Sequence, residues 1–221
     1  MIKKLSAKDL NAICLILGSI FSFIPFFIQL LYNDMPVDGE HIFTYFANQI
    51  ILNGNISLLN SMLSIFGATL IGYGIFGLSK DLQKDHPDNL INFALFLFLI
   101  ATIGFIISWS QDFAIIWGDA TLAPSQMMIE FSLTFSFGLL YWTGLAIFSY
   151  RISNLNFLDS NFLTFFSIIS SINVFLVIFT LFTIDVYAVS SLNLLYLGFF
   201  IGNTIFYVFC ILAARKILPT K

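Results

Sequence analysis

Charged residues are scarce in this chain. They make up 10% of its 221 residues, against about 25% in an ordinary soluble domain. A surface with so few charges is not one that faces water all round. Cysteine is almost missing. Cys14 and Cys210 sit in apolar runs near the two ends, with no His or second Cys at ligand spacing. They read as small buried hydrophobes, and a disulfide framework or zinc site is excluded. The sequence also has no H-E-x-x-H, G-x-S-x-G, P-loop or C-x-x-C. Those motifs supply metal, nucleophile or phosphate chemistry, so neither a catalytic motif nor a cofactor is expected. No basic patch is available for a nucleic acid.

Apolar sequence is abundant: 59% of residues are hydrophobic, 28 are Phe, and the mean hydropathy is +0.95. The stretch Ser125–Arg151 shows what this means. It holds one carboxylate, Glu130, and then no charge until Arg151. As a helix it is about 40 Å long, more than a hydrocarbon core of about 30 Å. Similar runs recur, so an all-α, polytopic six-transmembrane-helix bundle is expected, with spans at about 11–31, 56–78, 90–110, 125–150, 162–184 and 192–214. They form a single membrane domain and leave no room for a soluble one. Lys3, Lys4 and Lys8 precede the first run as in a signal peptide, but that run is too long and no small-residue cleavage site follows, so it reads as a retained span. Pro25 is expected to kink it.

The basic residues set an orientation. With the N-terminus inside, all nine Lys and Arg (Lys3, Lys4, Lys8, Lys80, Lys84, Arg151, Arg215, Lys216 and Lys221) fall on one side. Five or seven spans would scatter them. Short loops are where the positive-inside rule holds, so six spans with both termini in the cytoplasm of a cell membrane follow. Seven carboxylates without a basic partner then face outward: Asp34, Asp38, Glu40, Asp112, Asp119, Glu130 and Asp185.

Between the first two spans, residues 39–53 alternate like a short amphipathic helix. His41, Thr44 and Asn48 share one face; Ile42, Phe46 and Ile50 share another. It is too short to span, and fits an outer interfacial helix or a lid. The second span is Gly-rich, with Ala68-x-x-x-Gly72; the sixth carries Gly198-x-x-x-Gly202. Such pairs let helix backbones approach, within the bundle or in a homo-oligomer or larger membrane complex. One span, GEHIFTYFANQIILNGN, the Gly-rich span, and then YRISNLNFLDSNF leading into span five form a layout. It resembles a family of prokaryotic six-helix membrane proteins to which no activity is assigned. The resemblance implies six helices and transfers no site.

Glu130 is the leading candidate residue, because an ionisable group inside a span is costly and marks a site. Thr134, Gly138 and Tyr141 continue its face. Asp112 and Asp185 end spans three and five at similar depth. Converging, the three would bind a cation through hard oxygens or share a proton. The plain alternative places Glu130 at the interface, complementing its helix N-terminus. His41 with Asp34, Asp38 and Glu40, or with Met35, Met127 and Met128, is a weaker ligand set. Ser167, Ser170, Ser171 and Asn173 read as interhelical glue, and His86 as a solvated loop residue.

Three functions are open at this stage. The leading one is a small non-enzymatic accessory, sensing or interaction protein with an acidic outer face. The second is a cation- or proton-coupled transporter or channel using Glu130, Asp112 and Asp185. The third is a lipid-modifying intramembrane enzyme with an outer acid as base.

Overall fold

The structure, a computed structural model, describes residues 6–32, 39–84 and 87–218. The described residues are helices and their connections, without a strand. Six helices are long and apolar enough to cross a membrane, as in a multi-pass membrane protein. They are α1 (Ala7–Tyr32), α3 (Gly54–Leu82), α4 (Asn89–Trp109), α6 (Ala123–Ile152), α7 (Ser160–Thr183) and α8 (Asn193–Ile217); two short helices, α2 (Ile42–Leu52) and α5 (Gln111–Trp117), complete the set.

The span boundaries extend beyond the expected ones, chiefly at the polar ends. The third span differs more. Its main helix stops at Trp109, Ser110 makes the joint, and Asp112 lies on the separate helix α5. α1 continues as helix through Pro25.

The long helices pack in chain order, α1 on α3, α3 on α4, α4 on α6, α6 on α7 and α7 on α8, and α8 returns to α1. They therefore close a ring. α6 has the most neighbours, since α2 and α5 also pack on it. Aromatic rings fill the middle. Phe98 of α4 reaches Tyr141 of α6 at 5.5 Å and Phe206 of α8 at 5.8 Å, and Phe166 of α7 lies 6.1 Å from Phe206. These separations are those of tilted and edge-to-face pairs. Trp142, Phe148, Phe166, Phe206 and Phe209 are all under 2% exposed. Many other large apolar side chains point outward, Phe175 and Phe182 among them, as a lipid-facing surface requires.

Small residues bring the helices together. Gly18 and Gly67 pack α1 on α3 backbone to backbone. Gly72 faces Thr102 and Leu99 of α4, and Gly198 and Gly202 seat the Asn173 amide of α7. The small-residue faces around Gly72, Gly198 and Gly202 are thus used between helices of one chain. Of the polar group on α7, Ser167 donates to the Ala146 carbonyl of α6 at 2.8 Å. Ser170 and Asn173 are buried without a hydrogen-bond partner. Cys14 and Cys210 are both free and buried.

The described basic residues lie at one end of the ring, where Lys8, Asp81, Phe157 and Lys216 line a common pocket. A clasp closes the same end. Arg151, in the last turn of α6, donates from Nε at 2.8 Å and from Nη2 at 2.6 Å to Asp88 Oδ2. The other oxygen of Asp88 caps α4, accepting from the Leu90 and Ile91 N–H groups. The guanidinium beside Asp88 holds its carboxyl below the usual carboxylate range. A depressed value means stability held above the ordinary carboxylate pKa and lost as pH falls through the lower, folded value. Asn can cap but cannot pair, so Asp88→Asn is expected to cost less than Asp88→Ala, the difference being a cap of about 1 kcal/mol. The gap between wild type and Asp88→Asn should close in strong acid. Thermal unfolding in detergent across a pH series checks this, and a gap unchanged at the acid end counts against the clasp.

Candidate functional site

At the opposite end of the ring, α5 lays its polar edge against α3 and α6. Seven residues are too few for a span, but they suffice to present Asp112 and Ile115 inward together. Asp112 is 8% exposed. Its Oδ2 meets the hydroxyl of Ser61 on α3. Its carboxyl stands within hydrogen-bonding reach of the Glu130 carboxyl on α6. Each acid leaves one buried oxygen without a donor, Oδ1 of Asp112 and Oε2 of Glu130. Asn60, beside Ser61 and also buried, leaves its Oδ1 in the same condition. Buried polar atoms are almost always paired, so the two orphaned acceptors of the acid pair call for a donor or a cation.

The neighbours hold this pair in place. Ser108, one residue before Trp109, donates to the Glu130 carbonyl at 2.9 Å and shares a 2.8 Å hydrogen bond with Thr134. That fixes the α6 turn bearing Glu130 to α4. Tyr196 of α8 lies within electrostatic range of Glu130.

α2 covers the pair from the end. Ile42 and Ala47 are fully buried. Ala47, Ile115, Ala123 and Met127 form an apolar plug, with Phe43, Phe46, Ile50 and Phe131 packed around it. Met127 is three residues before Glu130 and Ile115 three after Asp112, so the plug caps the acids by one helical turn. Of the two expectations for residues 39–53, the lid describes the observed packing. Its start is fastened to the loop after α7: Gly39 N–H donates to the Tyr187 carbonyl and Ile42 N–H to that of Val186, both at 2.9 Å.

Asp112 and Glu130 come together; the other two candidates do not join them. Asp185 is exposed, and its carboxylate accepts from the Tyr187 N–H at 2.9 Å. Its side chain serves the loop that receives α2. His41 precedes α2 with its ring against Phe43 at 5.5 Å and Tyr187 at 5.2 Å, and its Nδ1 is buried without a partner. Among the described residues no three His, Cys, Asp or Glu cluster as metal ligands. Asp34, Met35, Asp38 and His86 lie outside the described residues. Asp119 is exposed, and hydrogen bonds from the Thr121 N–H and hydroxyl hold its carboxyl below the usual range.

Ser61, Asn60, Ser108 and Tyr196 were not singled out in the sequence. Ser61 and Asn60 are polar residues in a span with many small ones, and only the packing of α5 against α3 tells them apart from interhelical glue. No family model, curated protein or solved structure matches this chain. What the site does must therefore be argued from its own chemistry.

Proposed function

We propose that this chain is a proton-linked carrier of the cell membrane, with both termini cytoplasmic, and that Asp112 and Glu130 are its proton-binding pair near the outer face. The observation that carries the reading is the count of donors. Ser61 has one hydroxyl proton, yet its Oγ lies against two acceptors, the Ser57 carbonyl at 2.9 Å and Asp112 Oδ2. A carboxyl–carboxylate contact likewise needs one proton to be attractive. One proton on the pair makes the Asp112–Glu130 contact attractive and leaves the Ser61 hydroxyl proton to serve Asp112 Oδ2 and the Ser57 carbonyl in turn. A divalent ion is held by about six oxygens, and among the described residues no third acid joins the two.

The aromatic filling of the ring favours a carrier over a standing channel. Rings of Phe98, Tyr141, Phe166 and Phe206 occupy the middle of the bundle, so no continuous water path leads through it to the acids at one end. A carrier needs a site that opens to one side and is closed by a movable element; α2, fastened by two hydrogen bonds to a loop, has that form.

Infrared difference spectroscopy of the purified protein tests the pair. At neutral pH a carboxylic acid C=O band that shifts on deuterium exchange is expected. It should vanish in Asp112→Asn and in Glu130→Gln, each alone, because the proton belongs to both acids. A wild-type protein without that band ends the proposal.

A further inference from the structure

At the basic end of the ring, a pocket of about 270 Å³ lies between the first, second and last spans. Its wall includes Lys8 of α1, Leu78, Asp81 and Leu82 of α3, Phe157 of the linker before α7, and Lys216 of α8. This is where α8 returns to α1 and closes the ring. The wall is of two kinds. Leu78 is 1% exposed and belongs to the core, and Leu82 and Phe157 are half-buried. Lys8 and Lys216 are exposed, and among the described residues neither has an ion-pair partner. The acid in the wall is already used: Lys84 Nζ holds Asp81 Oδ1 at 2.6 Å. That pair sums to zero, so Lys8 and Lys216 leave the pocket two positive charges.

From this wall we infer that the pocket binds the phosphate-bearing head of an anionic phospholipid, drawn from the leaflet at the basic end, with Lys8 and Lys216 as its cationic ligands. The inference goes beyond the proton-linked reading and does not depend on it. Lysine ammoniums hold phosphate as point charges, and an anion between two like charges relieves their repulsion. Two features favour a lipid as the source of the phosphate. The pocket lies at the ends of spans, the level of lipid heads, where basic pockets between helices take such groups. Its apolar wall also gives the glycerol and first acyl carbons a contact that a free phosphate ion cannot use. Size sets the limit. About 270 Å³ is below the roughly 300–1,000 Å³ of sites that enclose a drug-sized body, so the head enters and the acyl chains stay in the bilayer. A zwitterionic head would bring a quaternary amine toward two lysines and is disfavoured. A head held by both lysines ties the first span to the last.

Thermal unfolding reads the site, using the full chain washed free of copurified lipid in a neutral detergent. Dioctanoyl phosphatidylglycerol is expected to raise Tm along a saturable curve, since a ligand of the folded state stabilises it by mass action. Dioctanoyl phosphatidylcholine, with the same tails, should give no such curve, and neither should inorganic phosphate at the same concentration. Lys8→Gln and Lys216→Gln should each raise the half-saturating concentration about fivefold, the size of one exposed ion pair. Lys216→Arg should keep it near the wild-type value. Arg215→Gln removes the same charge from the neighbouring residue, outside the pocket wall, and should leave it unchanged. Both lysines are exposed, so the variants should fold, and their Tm without lipid checks that. An equal rise with phosphatidylcholine, an equal response to inorganic phosphate, or a loss in Arg215→Gln as large as in Lys216→Gln overturns the inference. Those results would mean bilayer contact, a free-anion site and diffuse attraction, in that order. None of them bears on the carboxyl band of Asp112 and Glu130, which tests the proton-binding reading separately.

Discussion

Gly67→Ala is expected to destabilise the protein by about 2 kcal/mol, although Gly→Ala inside a helix ordinarily stabilises by about 1 kcal/mol. The reversal comes from the α1–α3 contact. A Cβ at Gly67 falls 2.7 Å from the backbone nitrogen of Ser22 and 3.0 Å from the Gly18 carbonyl oxygen. Those are backbone atoms of a helix and cannot rotate away, so relief requires α1 to move off α3. Overpacking of that kind costs about 3 kcal/mol, from which the propensity gain is subtracted. In a chain of this length the net loss corresponds to a fall in Tm of about 4–8 °C. Gly54→Ala is the internal control. It lies on the same helix with nothing within 4 Å of its added Cβ, and should leave Tm unchanged or slightly raised. Thermal unfolding of both variants in one detergent gives the comparison. Equal shifts in the two would mean that α1 and α3 are not in backbone contact.

The second large effect is all-or-none. With both termini in the cytoplasm, a cysteine at Thr121 should react with a membrane-impermeant maleimide on intact cells. One at Lys84 should react only after permeabilisation. Thr121 is exposed in the loop between α5 and α6, at the acidic end of the ring. Lys84 has a side chain 62% exposed, beside Asp81 at the basic end. The native cysteines are buried, so background is low. The reason for the expectation is the cost of translocating Lys and Arg, which keeps them on the side of synthesis in short loops. Labelling of Lys84→Cys from outside reverses the orientation and moves the acid pair to the cytoplasmic face. The pair's chemistry would survive that; its access would not.

Read together, the two tests separate levels of the structure. The glycine pair probes packing that holds in detergent without any membrane, and the labelling probes placement that exists only with one. A fall in stability for Gly67→Ala with reversed labelling would keep the ring and invert it.

The helices were legible along the chain because burial in lipid imposes a simple rule: about 20 apolar residues with backbone bonds satisfied internally. Every one of the six runs became a helix of span length. The ends were less legible, since a helix continues past the apolar slab as long as its caps allow. Asp88 sets the start of α4 by accepting from the Leu90 and Ile91 N–H groups, and Asp159 does the same for α7 through Phe162. The break at Ser110 had no Pro or Gly to announce it. It goes with the packing of α5 on α6 and α3, which no local pattern encodes.

Of the site, Glu130 and Asp112 stood out in the sequence because ionisable groups in apolar runs are costly. Their meeting did not, and neither did the separation of Asp185 and His41 from them. Those facts depend on which side of each helix faces which neighbour.

The order of residues alone thus determined the number of spans and the sorting of the described basic residues to one end. Each follows from the free energy of single segments in water or lipid, which depends on composition and length. The tertiary structure alone decided that the ring closes on itself, that aromatic side chains fill it, that α2 covers one end, and that two of three acids meet, one of them on Ser61. Those are contacts between segments far apart in the chain, and they are set by side-chain volume and helix rotation, which a one-dimensional pattern of polarity does not record.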